Sequence, residues 1–259
     1  MSSKNLRRTE SIKRVSKGDY QLLRIDSSYK KSGTISDFTF SPNNDVTFKS
    51  AKLVSIEFPN TIYPISNSRD TLYLRVNQNG LIVDVYLIEG NYSNSDFIVM
   101  LQDQLNLAVG SNGSYTVTYD KNTAKITINN IVLIELQLTY SGDLYNVLGF
   151  SKIDTGLLLS HTSTGVINLS GPNYITFNIN PLPSGSKILS GNGTTGIYTF
   201  PLVVPFGSIN FFEADGLGYD LIVSNGNKNN MRNIRITVYD EQGRVPDLFL
   251  DWSMLLRLE

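Results

Sequence analysis

Three acidic residues, Glu213, Asp215 and Asp220, gather within FFEADGLGYD (211–220). Clustered carboxylates can hold Ca²⁺ or divide the acid and base roles of glycoside hydrolysis. Their spacing lacks the D-x-D-x-D-G regularity of a calcium loop, so a solvated acidic loop is the expectation. The single histidine, His161, lies in the Ser/Thr/Gly-rich stretch LLLSHTSTG. A Ser-His-Asp triad would need it, but no G-x-S-x-G elbow supports one, and it is expected on a surface loop. Gly191-Asn192-Gly193-Thr194-Thr195-Gly196 spells G-x-G-x-x-G. A dinucleotide fingerprint requires a helix next, so that its N-terminus meets the pyrophosphate. Here IYTFPLVV follows, which reads as strand, and the motif is expected to be a loop. Without cysteine there is no disulfide, thiolate metal site or cysteine nucleophile, and one histidine excludes a multi-histidine site. No catalytic residue, metal or cofactor is expected.

The elements around these residues are almost all extended. Period-2 alternation marks strands at 20–26, 34–40, 47–58, 71–78, 81–89, 115–120, 124–129, 131–139, 173–180, 196–204, 208–212, 231–240 and 248–258. Breakers such as SPNND, NQNG and NPLPSGS separate them, and Asn79-Gly80 and Gln242-Gly243 suit tight hairpin turns. Many short strands without βαβ alternation predict an antiparallel sandwich or barrel. Strand aromatics such as Tyr174, Tyr198 and Tyr219 can line a sugar or peptide groove, but in an all-β domain they are expected to be half-buried. No run approaches the ~18–20 apolar residues of a membrane span, and no apolar segment of a signal peptide follows the first charges. The lack of cysteine fits an intracellular origin and equally a disulfide-free secreted protein.

Two stretches are helical. In GNYSNSDFIVMLQDQLN (90–106), Ser93 with Asp96 three residues on resembles a capping box. Phe97, Ile98, Leu101 and Leu105 then form one apolar face, and Gly110 is placed to end the helix. DLYNVLGF (143–150) predicts a single turn ended by Gly149, with Leu148 and Phe150 closing against the helix and the hairpin YTVTYDKNTAKITIN.

Charge is unevenly spread. Residues 1–31 hold nine of the 22 Lys/Arg and three of the 23 acids, net +6, which leaves −7 for the rest of a chain of net charge −1. The first ~18 residues lack the apolar side chains to bury a core of their own. They read as a basic arm, with Lys4, Arg7, Arg8, Lys13, Arg14 and Lys17 poised to order against an acidic neighbour or nucleic acid.

Four segments in order carry a resemblance: KLVSIEFPNTIYPISNS (52–68), YLIEGNYSNSDFIVMLQDQLN (86–106), YTVTYDKNTAKITIN…DLYNVLGFS (115–151) and NIRITVYDEQGRVPDLFLDWSMLLRLE (233–259). Their order resembles the penton (minor capsid) proteins of virophages and Polinton-like viruses, relatives of the vertex proteins of tailless double-stranded DNA viruses. The resemblance spans roughly 50–259. It implies a mainly β chain with a single jelly-roll β-sandwich, a small inserted α+β subdomain and no catalytic residue. The expected division is a flexible arm (1–19), a jelly roll (20–90 and 165–259) and an insertion (90–165). The implied role is a homopentamer at the virion vertex, assembled inside the host cell beside neighbouring major capsid proteins. The arm would meet packaged DNA or internal proteins, and the insertion a spike or host receptor. The alternatives are another minor capsid jelly roll, a fibre-head or carbohydrate-binding sandwich, and a carboxylate hydrolase using Glu213, Asp215 or Asp220.

Overall fold

The computed structural model describes residues 20–42, 46–110, 114–180, 188–189, 195–196, 198–214, 220–222 and 229–259. The arm (1–19), Gly191–Thr194 and Asp215 lie outside the described residues. In chain order the first strands are β1 (Gln21–Asp26), β2 (Ser32–Gly33), β3 (Asp37–Phe40), β4 (Val46–Phe48) and β5 (Ser50–Pro59). A middle block follows: β6 (Tyr73–Gln78), β7 (Leu81–Tyr86), helix α1 (Asn94–Val109), β8 (Thr116–Asp120), β9 (Lys125–Leu136), helix α2 (Leu144–Leu148) and β10 (Leu158–Thr162). The chain then runs through β11 (Tyr174–Asn180), β12 (Ile188–Leu189), β13 (Thr195–Gly196), β14 (Tyr198–Pro201) and β15 (Ile209–Glu213). It ends with β16 (Asp220–Ile222), β17 (Asn229–Met231), β18 (Ile234–Tyr239) and β19 (Ser253–Leu258).

Two antiparallel sheets make the sandwich. One has the order β1-β19-β5-β15, and the other β14-β11-β18-β3-β2. The last two long strands, β18 and β19, insert between strands laid down earlier, β18 between β11 and β3 and β19 between β1 and β5. Successive strands thus cross from sheet to sheet and return inside them, which is the double Greek key of a jelly roll. The alternation drives this arrangement: Ala51, Leu53, Ile56 and Phe58 of β5 turn inward against Phe177, Phe200 and Trp252. The inward period jumps from Leu53 to Ile56 where the register with β19 shifts between Leu255 and Leu256, a bulge that twists the strand. Phe58 packs 5.8 Å from Phe177 and 5.9 Å from Phe200. Trp252 lies edge-on to Phe177 at 4.8 Å, and its indole N–H donates to the Ile35 carbonyl at 3.0 Å. A buried ring of this size stabilises only when its polar atom is satisfied, as here.

The middle block has its own core. β6, β7, β8, β9 and β10 form one sheet of order β10-β9-β6-β7, with β8 on β9. Phe97, Leu101 and Leu105 of α1 are fully buried in its core with Leu148, and Phe150 and the half-buried Ile98 pack there too. Ser93 caps the helix, its Oγ accepting the Asp96 amide at 3.2 Å and donating to the Asp96 carboxylate at 2.6 Å. Gly149 ends α2 with φ 76°, and a Cβ there would sit 2.6 Å from the Val166 carbonyl.

Three expectations change. The boundary at residue 90 falls inside the second sheet: β6 pairs β7 and β9, and its Leu74 and Val76 join the second core. Ile62 closes the sandwich core and Ile65 opens the other, so the inserted block occupies the whole β5–β11 connection. Alternation in β6 and β7 looks the same whichever sheet they join, so pattern alone could not place them. The strands expected at 124–129 and 131–139 are one continuous β9, because Asn130 turns its side chain inward to serve the Ser114 and Ile131 amides instead of breaking the ladder. His161 is buried in β10 rather than exposed on a loop, with Nε2 2.7 Å from the Ile134 carbonyl. Its Ser/Thr neighbours read as loop, yet they pair in register with β9.

Candidate assembly surfaces

The chemistry considered first does not assemble. Glu213 ends β15 opposite Ser55, exposed, and Asp220 begins β16 opposite Lys52. His161 is turned into the second core, away from the sandwich where those acids lie. Gly196 belongs to β13, and β14, a strand, comes after it. Among the described residues no three His, Asp or Glu side chains converge as metal ligands.

What the fold exposes instead is surface of distinctive composition. On the sheet β1-β19-β5-β15, the register aligns Asp26, Ser253, Glu57 and Phe211 in one outward row. Ser253 Oγ donates to Glu57 at 2.7 Å, and the Arg24 guanidinium reaches Glu57 at 3.5 Å. The two edge strands of this sheet carry apolar side chains on the outside. Leu22 of β1 is 57% exposed, and Ile209 and Phe211 of β15 are 64% and 63% exposed. Phe212, next in the chain, turns inward and stacks on Phe58 at 5.9 Å, so the pair Phe211-Phe212 serves both faces. Beside β15, Phe206 and Phe249 flank Tyr63 at 5.5 and 4.7 Å, which makes the end of the sheet an aromatic patch. A cleft of about 330 Å³ opens there, lined by Ile209, Leu250 and Pro59 with Asp26, Glu57 and Asp251. Its three carboxylates give an otherwise apolar hollow a negative lining.

The opposite sheet presents a polar face. Arg235 grips Asp37 through two hydrogen bonds, 2.9 and 2.7 Å, and Thr237 adds a third at 3.1 Å. The bond from Arg235 holds the Asp37 carboxyl below the ordinary carboxylate range, against the opposing effect of partial burial. Thr176 and Thr199 share a hydrogen bond at 2.9 Å.

The inserted block has an exposed sheet face away from α1. Arg75 and Asp84 form a bidentate pair there, 2.6 and 3.0 Å, which lowers the Asp84 pKa. Tyr140 lies over the Arg75 guanidinium at 5.3 Å, and Tyr73 and Tyr86 meet across β6 and β7 at 6.3 Å. Ile131, 76% exposed, and Ile153 stand out on its rim. Sequence reasoning missed these outward apolar side chains, because alternation reveals two faces of a strand without saying which is covered. Paired aromatics, as in Phe211-Phe212, were the one available signal of a strand with two apolar faces.

No family model matches the chain, and neither does any curated protein. Among solved structures it is similar to the SeMet-labelled mavirus penton protein. The two share 13% sequence identity at a TM-score of 0.49, over 93% of this chain and 99% of the mavirus protein.

Proposed function

We propose that this chain is a structural capsid protein, with no enzymatic role, that builds the pentameric vertex of an icosahedral double-stranded DNA virus or virophage. The observation that carries the reading is the pair of apolar edges on one jelly-roll sheet. A ring of identical subunits needs two different, complementary patches on opposite sides of each copy. Leu22 on β1 and Ile209 with Phe211 on β15 occupy opposite edges of one four-stranded row, as such a head-to-tail contact requires. Edge strands in a monomer normally carry charge or are covered, since a bare apolar edge invites pairing. The motif order described above, which resembles penton proteins, points the same way.

In this reading the arm, with Lys4, Arg7, Arg8, Lys13, Arg14 and Lys17, orders on assembly against acidic surface of a neighbour, such as the lining by Asp26, Glu57 and Asp251, or faces packaged DNA. The inserted block projects outward, toward a spike or host receptor, while the sandwich abuts neighbouring major capsid proteins. Native mass spectrometry of the purified chain under assembly conditions tests this. The expected species is a pentamer, lost in Phe211→Asp although the variant keeps the parent's melting temperature. A chain that stays monomeric under all such conditions and is absent from five-fold vertices in particle images overturns it.

A further inference from the structure

The two hydrophobic cores are separate clusters. Along the chain the sandwich core reaches Ile62 and the second core takes up at Ile65, and polar side chains also bridge the seam. They centre on the turn between β18 and β19. Arg244 of that turn forms an ion pair with Asp143 of the inserted block, whose amide is itself held by the Asp70 carbonyl at 2.7 Å. In the other direction, Arg69 of the inserted block points toward the same turn. It is only 7% exposed, yet its Nε and Nη1 meet no hydrogen-bond acceptor. Burial lowers the Arg69 pKa, and the charges of Asp240 and Glu241 on the turn act against that shift. Asp240 spends Oδ1 on the Gln242 and Arg244 amides, both at 2.9 Å, and its buried Oδ2 likewise has no hydrogen bond. A polar cleft of about 230 Å³, lined from both sides by Arg69, Asn146, Asn168, Glu241 and Gln242, opens at this seam.

We infer that the inserted block is hinged on the sandwich at residues 62–65 and latched by a two-way exchange of charge with the β18–β19 turn, Arg244 to Asp143 and Arg69 to Asp240. The two halves differ in character. The Arg244–Asp143 half is a made contact. The Arg69–Asp240 half brings opposite charges together without a direct hydrogen bond, so it attracts without fixing one geometry. A buried charge left unpaired is costly, which keeps Arg69 near the turn while the adjoining cleft leaves space for it to shift. On the sandwich side of the seam Asn173 steadies the turn, its amide and side chain both donating to Glu241 at 3.1 and 2.9 Å. This device does not depend on the capsid reading; it concerns only how one part of the chain is held on the other.

The test uses the full chain with hydrogen exchange and small-angle X-ray scattering. Arg244→Asp is expected to speed exchange at the Asp143 amide by about tenfold or more. The distribution of interatomic distances should broaden, while amides of Phe58, Phe177, Leu101 and Ile128 in the two cores keep their protection. The charge-swapped double variant Arg244→Asp/Asp143→Arg should return both readouts toward the parent. Arg69→Met gives an independent measurement and should broaden the scattering in the same way. Unchanged scattering in both single variants overturns the latch, as does a double variant no closer to the parent than Arg244→Asp alone. Loss of core protection in every variant also overturns it, because the seam would then be part of one indivisible core.

Discussion

Buried and paired side chains give the molecule opposite responses to acid and alkali. Tyr115 donates to Gln78 Oε1 at 3.0 Å within the second core, and burial pushes its pKa up to about 12. A raised tyrosine pKa means that the folded state holds its proton longer than the unfolded chain, whose tyrosines ionise near 10. The associated stability is complete below about pH 10 and is lost as pH rises toward 12. Absorbance titration should therefore show one phenol ionising last, and Tyr115→Phe should remove that late step. Asp37 and Asp84 behave in the opposite sense. Their pKa values are lowered by hydrogen bonds from Arg235 and Arg75, so their contribution is present above the ordinary carboxylate value of 3.8 and is lost as pH falls through their own values. In Arg235→Gln the Asp37 pKa should return upward, which carboxyl NMR titration can follow. Asp240 differs again: burial raises its pKa, so its ionisation at higher pH weakens the fold and acid relieves it.

Among elements, α1 explains why a helix stands among strands. Its buried face of Phe97, Leu101 and Leu105 covers the sheet of the inserted block, which has too few strands to form a sandwich alone. Removing its cap in Ser93→Ala should cost about 1 kcal/mol, read as an earlier melt of the block. Leu101→Ala opens a cavity in a fully buried site and should cost about 2–5 kcal/mol. Leu101→Asp should unfold the block outright. The chain's one tryptophan, Trp252, sits in the sandwich core, so its fluorescence reports that unit alone. In Leu101→Asp the helical circular dichroism should fall while Trp252 emission holds. A simultaneous red shift of that emission would mean that the two cores share one fate.

At the scale of the whole molecule, the sandwich is a scaffold whose two sheets play different outward parts. One presents the Arg235–Asp37 pair, and the other carries apolar edges beside a negatively lined cleft. The charge asymmetry acts at long range, where interactions between exposed charges are screened beyond about 8–10 Å at physiological salt. If the basic arm meets that acidic lining, deletion of residues 1–19 should weaken self-association at low salt and have little effect at high salt. Sedimentation velocity across a salt series checks this. Equal association of the truncated and full chains at low salt would remove the arm from the contact.

Several particulars were decided by the sequence alone. Alternation between breakers dictated strands, since a period of two can bury only one face of a pleated sheet. Ser93, the apolar spacing of Phe97, Leu101 and Leu105, and Gly110 dictated the helix and both of its ends, because capping and one-sided burial are local properties. The helix following G-x-G-x-x-G was excluded by the apolar strand pattern after it. Only the tertiary structure decided which sheet received each strand. β6 and β7 read like sandwich strands, yet they pair with β9, because pairing is a contest among distant partners that a local pattern does not record. The same reason hid His161, which lies against β9, and Arg69, whose cleft is lined in part by a turn about 170 residues further along the chain. Whether an apolar side chain is core or contact surface was also settled there: Phe212 and Phe211 are adjacent and alike in sequence, and only the sheet stacked on one face of β15 separates them.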